Sequence, residues 1–247
     1  MRRGDYGYDA PYALALFGGL AAVGGAAGAI SWWLGLAHLA KLMAFYFVFF
    51  LANFSSFLYT TRRGKFAEWN RILDRAGLRG DEEVLDMGCG RGAVLAAVAR
   101  RLTTGHVTGV DIWNAKDQSG NALDVTLRNM SLEGVSARVR IDTGDMRELP
   151  YSGAQFDLVV SSLAIHNIQS NADRRRAVID GFRVLRPGGR MVIADIRATA
   201  IYADALRALG ALDVERRRLG WRFWWGNPFA GTTLVTATKP QTADRHG

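Results

Sequence analysis

No charged side chain occurs from Ala10 to Ala40, and after Lys41 none occurs from Leu42 to Thr61. A helix needs about 20 residues to cross the roughly 30 Å apolar core of a bilayer. The pattern therefore predicts a helical hairpin with spans near residues 12–30 and 39–59. Trp32, Trp33, Gly35 and His38 fall at its turn, where tryptophan favours the membrane interface. From residue 81 the pattern changes. Apolar runs at 83–87, 106–111, 137–142, 156–161 and 190–195 read as strands, and 92–102, 121–133 and 173–185 between them read as helices. That alternation predicts an α/β domain with a parallel sheet covered on both faces. Two further strand-like runs, 211–219 and 232–238, are joined by a short aromatic segment, which fits a terminal antiparallel pair.

Residues 62–80 predict a basic amphipathic connector. Phe66, Trp69, Ile72, Leu73 and Ala76 recur at helical spacing, Arg62, Arg63, Lys65, Arg71 and Arg75 supply charge, and Gly77 is a stop signal. Such a helix either rests on anionic headgroups or packs on the domain that follows. The chain thus divides into a hairpin at 1–61, the connector at 62–80, the α/β domain at 81–240 and a tail at 241–247. Arg2 and Arg3 flank one end of the hairpin and Arg62, Arg63 and Lys65 the other, so the positive-inside rule puts both ends and the domain on the cytoplasmic side.

Other readings compete with a spanning hairpin. A secretory leader would account for Arg2 and Arg3, but Asp5 and Asp9 spoil its basic region and a second apolar stretch follows. A soluble helix pair would have to hide Phe45–Phe50 all round. Monotopic insertion into one leaflet is the alternative to full spanning. Gly24 and Gly28 give a small-xxx-small spacing for close helix contact, with the second span or with another copy of the chain as a homo-oligomer.

Composition narrows the chemistry. At 49% apolar and 22% charged the chain is neither a disordered tail nor a fibre. A single cysteine, Cys89, excludes a disulfide framework and a cysteine-built zinc site. Almost all of the net charge of +8 lies beyond residue 61, which suggests an anionic surface nearby, a membrane face or a nucleic acid.

The sharpest local feature is Val84-Leu85-Asp86-Met87-Gly88-Cys89-Gly90-Arg91-Gly92, a strand that ends in glycines and turns into a helix. Glycine permits the tight turn and lets a ligand approach the backbone. Gly88-x-Gly90-x-x-Ala93 also satisfies a dinucleotide fingerprint, and Asp111, at the end of the next strand, suits ribose hydroxyls in either case. Asp86, two residues before the first glycine, would repel a pyrophosphate and could face a cationic amino group. Asp145, after the third strand, could meet an adenine amine.

The segments DMGCGRG, VTGVDIW, GDMRELP, FDLVVSSLAIHNI and LRPGGRMVIADI, in this order, resemble the successive motifs of the class I S-adenosylmethionine-dependent methyltransferases of the type 11 group. The resemblance covers about residues 81–240 and implies a Rossmann-like seven-stranded sheet with the last strand antiparallel, after the predicted transmembrane hairpin. It implies S-adenosyl-L-methionine as cofactor, with Gly88, Cys89 and Gly90 around its methionine part and Asp86 near the amino group. It places Asp111 on the ribose, Ile112 and Trp113 on the adenine face, Asp145 and Met146 at the adenine edge, and Ser161 beside the sulfonium. Cys89 sits in the usual loop position of the family, which argues against a nucleophilic role.

Methyl transfer from a sulfonium is an in-line displacement that needs no metal; the protein aligns acceptor and donor and excludes water. A base helps when the acceptor carries a proton. His166, just beyond the fourth strand, is the candidate base or orienting group, against the plainer reading that it bonds the backbone of its own loop. Ser161-Ser162-Leu163-Ala164 replaces the Asn/Asp-Pro-Pro-aromatic sequence of enzymes that methylate exocyclic amines of bases, which argues against a nucleic-acid acceptor. Arg174–Arg176 and Arg216–Arg218 could contact phosphates, or be solvated faces. The segment Gly220–Phe229 could wall the acceptor pocket, dip into the membrane interface, or pack between the last two strands. The expected function is a membrane-attached methyltransferase acting on a hydrophobic small molecule such as a quinone precursor, a lipid or a thiol. A non-catalytic cofactor-binding membrane module, an RNA methyltransferase and an NAD-dependent oxidoreductase are the alternatives.

Overall fold

The computed structural model describes residues 3–114 and 120–241; Arg2 and positions 242–247 of the expected tail lie outside the described residues. Two long helices come first, α1 (Pro11–Trp33) and α2 (Ala37–Tyr59). They pack against each other, and α1 turns its small residues inward: a Cβ on Gly24 would stand 3.1 Å from the Phe47 amide nitrogen, and one on Gly28 would lie 3.4 Å from the Met43 Cβ. Small residues permit this close approach, so the glycine stripe meets the second helix of the same chain. Only 17% and 11% of the most apolar windows of α1 and of the helix that contains α2 are buried, so this is not the concealed core pair of a soluble globule. Both are long and apolar enough to cross a membrane.

α2 does not stop at the domain. It runs through a π-helical turn at Thr60–Gly64 into α3 (Lys65–Ala76), forming a single helix over Ala37–Ala76. A Cβ at Gly64 would lie 1.9 Å from the carbonyl oxygen of Arg222, so this position admits only glycine at the contact between helix and domain. Trp69, Ile72 and Leu73 of α3 are buried in the core of the domain, and Gly77 ends the helix in the left-handed region at φ 60°.

The domain follows as β1 (Glu83–Met87), α4 (Ala93–Ala99), β2 (His106–Asp111), α5 (Leu123–Leu132), β3 (Val139–Thr143), β4 (Phe156–Ser162), α6 (Asn171–Arg183), β5 (Leu185–Asp195), α7 (Thr199–Ala208), β6 (Leu212–Arg218) and β7 (Thr233–Thr238). The seven strands form one sheet in the order β3-β2-β1-β4-β5-β7-β6, with β7 antiparallel to both neighbours. β1, β4 and β5 are apolar on both faces because helices cover both. One core joins α3 and α4 to Val84, Leu158 and Val160; the other joins α6 and α7 to Leu85, Val159 and Ile193.

The aromatic segment after β6 packs chiefly against the base of the hairpin. The Trp225 ring centroid lies 5.1 Å from that of Phe57, Trp221 stacks on Tyr59 at 5.1 Å, and the Thr60 hydroxyl donates to the Trp224 carbonyl at 2.6 Å. Asn227 donates through Nδ2 to Oδ1 of Asn53, inside α2, at 3.0 Å.

Candidate active site

β1 ends at Met87, and the chain must turn at once to start α4 beneath the sheet. Gly88 makes that turn at φ 73°, and a Cβ there would fall 2.3 Å from the Ala164 Cβ and 3.0 Å from the Met146 Cε. Its amide donates to the Val110 carbonyl at 2.8 Å, which locks the loop to the end of β2. Beside this loop opens a cavity of about 740 Å³ at the carboxyl ends of the strands. Asp86, Asp111 and Asp145 all line it, together with Gly88, Cys89, Gly90, Ile112 and Met146.

The three carboxylates are held differently. Asp86 is 1% exposed and neither of its oxygens has a hydrogen-bond partner. Burial first, and the nearby charge of Asp111 second, push its carboxyl up to about 7; the Leu95 amide, outside hydrogen-bond geometry, offsets only part of this. Asp111 is fixed by the Gly90 amide at 2.8 Å, the Trp113 amide at 2.7 Å and Asn121 Nδ2 at 3.2 Å. Asp145 is more open and is gripped by Arg147, whose Nε lies 2.9 Å from Oδ2 and whose amide lies 2.8 Å from Oδ1. The Arg147 contacts outweigh burial and hold Asp145 below the usual carboxylate range. The Cys89 thiol is pushed well up by burial and then by Asp86 and Asp111, which keeps it protonated.

Three of the expected site residues are placed elsewhere. Ser161 is absent from the cavity lining: its hydroxyl donates to the Met87 carbonyl at 2.8 Å, while the next residue, Ser162, lines the cavity and accepts from Trp69 Nε1 at 2.8 Å. Successive strand residues face opposite ways, so a one-residue step decides which serine reaches the site. Trp113 is also absent from the lining, and its Nε1 donates to Thr143 Oγ1 at 2.7 Å. His166 Nδ1 lies 2.6 Å from Asp195 Oδ1 in a contact bent off the ring N–H direction, and its backbone amide donates to Asp195 Oδ2 at 3.0 Å. The imidazole therefore sits behind the turn 165–167, and Asn167 and Ile168 rather than His166 line the cavity.

Other lining residues were not legible. Tyr6 and Asp9 come from the strap before α1, and Lys65, Phe66, Trp69 and Asn70 from α3. Tyr6 meets the Phe66 ring edge-on at 5.3 Å, and Asp9 pairs with Lys65 and accepts from the Thr61 hydroxyl at 2.7 Å. Asn121, which steadies Asp111, lines the cavity as well.

The residues present fit S-adenosylmethionine. A buried carboxylate without a partner suits its ammonium group, and the glycine loop leaves the room that a Cβ at Gly88 would take. Residues 84–189 match the family model described as a methyltransferase domain. The methyltransferase GfsG of Streptomyces halstedii is 34% identical over 139 residues, which is 56% of this chain and 46% of that protein. The ubiquinone/menaquinone biosynthesis C-methyltransferase UbiE of Vibrio vulnificus is 31% identical over 129 residues, 51% of this chain and 46% of its own. The chain thus spans about half the length of these relatives. Among solved structures, a SAM-dependent methyltransferase from Aquifex aeolicus superposes with a TM-score of 0.55 at 15% identity, covering 69% of this chain and 89% of that one. Geranyl diphosphate C-methyltransferase from Streptomyces coelicolor gives 0.56 at 16% identity over 70% and 77%. At these identities the structures speak for the fold alone; the sequence matches make residues 84–189 similar to a methyltransferase domain.

Proposed function

We propose that the chain is a membrane-attached methyltransferase that passes a methyl group from S-adenosylmethionine to a hydrophobic small molecule, of the quinone-precursor, lipid or thiol kind. One observation carries this reading. The cavity lined by Asp86, Asp111 and Asp145 is closed on its other side by Tyr6, Asp9, Lys65, Phe66 and Trp69, which directly adjoin the two apolar helices. An acceptor that partitions into lipid would find the site at the foot of the hairpin. The relative named for ubiquinone/menaquinone biosynthesis supports the quinone-precursor class. By the positive-inside rule, Arg3 before α1 and the exposed Arg62 and Arg63 after α2 support a cytoplasmic location for that foot.

Within the site, ionised Asp86 holds the donor's ammonium, Asp111 accepts from ribose hydroxyls, and Gly88 and Gly90 admit the methionine part. Ile112 and Met146 flank the adenine, and Asp145 accepts from its amine while shared with Arg147. The bound donor supplies an activated methyl on a sulfonium. Tyr6, Phe66 and Trp69 exclude water and align the acceptor, and alignment alone can supply much of the rate.

The test is to reconstitute the full chain in lipid, add donor labelled in its methyl group and a lipid extract, and identify the labelled product by mass spectrometry. Donor binding without any labelled product would leave a non-catalytic module. In the same assay His166→Ala is expected to lose less than about tenfold in turnover and to keep the pH profile, since the ring supports the turn 165–167 through Asp195. A general base accounts for about 10²–10⁴-fold, so a loss of that size with one limb of the profile gone would make His166 the base.

A further inference from the structure

A second cleft, of about 480 Å³, lies on the β6 edge of the domain, away from the methyl-donor cavity. Three arginines line it, Arg197 from the β5–α7 loop and Arg216 and Arg218 from β6, and among the described residues no acidic side chain does. Positions 216 and 218 share one face of the strand. Basic residues on an edge strand guard against pairing with other chains, and that accounts for an arginine on either face of β6. It does not account for Arg197, which comes from another element and faces the same cleft. The uncapped first turn of α7 runs along the floor.

Phe229, 92% exposed on the turn Pro228–Ala230, also lines the cleft, with Ile196, Gly231 and Thr233. That turn is tied to the hairpin. Asn227 accepts from the Phe229 amide at 3.0 Å while its Nδ2 reaches Asn53 of α2, and Gly226 packs against Phe17 of α1. Arg218 also donates to the Pro228 carbonyl at 2.8 Å. The cleft is therefore level with the foot of the two apolar helices, a cationic hollow with an apolar side chain projecting beside it.

We infer that this cleft binds the phosphate headgroup of an anionic phospholipid, with Phe229 inserted among the acyl chains. The inference rests on the hairpin lying in a membrane, and its ligand is a lipid rather than free phosphate. Charge complementarity and continuity with the hairpin select that occupant: a cation near an anionic leaflet contributes about fivefold in affinity, and three face one hollow. The docked headgroup would fix the tilt of the domain on the bilayer, and with it the mouth of the donor cavity.

The full chain, purified in detergent micelles, is titrated with phosphatidylglycerol and with phosphatidylcholine and read by native mass spectrometry. Wild type is expected to prefer phosphatidylglycerol, and Arg197→Ala/Arg216→Ala to lose about 25-fold of that preference. Arg218 is left in place because it holds the 228 turn. Arg128→Ala/Arg140→Ala, on the opposite side of the sheet, is expected to keep the full preference. Equal binding of the two lipids by wild type, an undiminished preference in the double variant, or displacement by excess inorganic phosphate would each overturn the inference. Carbonate extraction of wild type from vesicles tests the hairpin separately. Retention without headgroup preference faults the cleft alone; release with the preference intact faults the membrane reading and leaves the cleft a lipid site.

Discussion

Asp86→Asn is expected to weaken S-adenosylmethionine binding by about 100-fold while making the donor-free protein more stable above neutral pH. The first effect follows from the proposed role, in which Asp86 is one partner of a buried charge pair with the donor's ammonium; removing one partner of such a pair costs about 2–5 kcal/mol. The second follows from Asp86 lacking a partner when the donor is absent. Its carboxyl is pushed from the ordinary 3.8 to about 7, chiefly by burial, so between those values the folded protein holds a proton that the unfolded chain releases. The native state binds more protons there, and this group therefore makes stability fall as pH rises through that window. Above about 7 the full penalty is present; below about 4 it is gone.

Asn removes the charge at nearly constant shape. Its thermal midpoint should exceed that of wild type by about 10 °C at pH 8, and the two should converge as the pH approaches 4. Wild-type donor affinity, which needs the ionised carboxylate, should drop by up to tenfold per pH unit below about 7. Calorimetry and thermal scans across pH 4–8 check both. Equal donor affinity in the variant would remove Asp86 from the site.

Some of this geometry was written locally in the chain. β1 and β2 begin and end at the expected residues because each has a sharp stop, Gly88 after Met87 and Asp111 at the end of its apolar run. β5 starts at Leu185 rather than at 190, because Gly188 and Gly189 trade hydrogen bonds with Lys239. α7 was missed: Ala198, in the left-handed region at φ 60°, precedes it with no side-chain cap, so no start signal exists. The carboxylate trio was legible since each acid closes or follows a strand, and a parallel sheet gathers strand ends at one edge. Ser161 and Ser162 could not be told apart without knowing which face of β4 meets the cavity. The strap was least legible, because its partners are scattered from Thr61 and Lys65 through Arg91 to Asn129 and Glu133 and its two acids read only as flaws in a leader peptide.

That strap gives the second large effect. Glu133, at the end of α5, accepts from the amides of Arg3 at 3.0 Å and Gly4 at 2.9 Å and from the Tyr6 hydroxyl at 3.0 Å, and it also pairs with Arg100. Burial would raise its carboxyl, but the bonds from Gly4, Tyr6 and Arg100 outweigh this and hold it below the ordinary value. A depressed carboxyl contributes stability above its unfolded value and loses it as pH falls through the folded one, so at neutral pH the latch is closed in full. Glu133→Ala removes the three bonds from the strap and the Arg100 pair at once, each bond worth about 1.5–3 kcal/mol in a buried setting and less at a partly exposed one. Tyr6 then leaves Phe66, and the cavity loses its wall on the hairpin side. The expected result is a KM for the acceptor raised about thirtyfold, with faster hydrogen exchange at residues 3 and 4 and little change at residues 5 and 9, whose amides are bonded independently to Asn129 and Thr61. Glu133→Gln, which keeps an acceptor for the amides but no charge for Arg100, should recover part of the affinity and most of the exchange protection. Unchanged KM and exchange in Glu133→Ala would show that the strap does not shape the site.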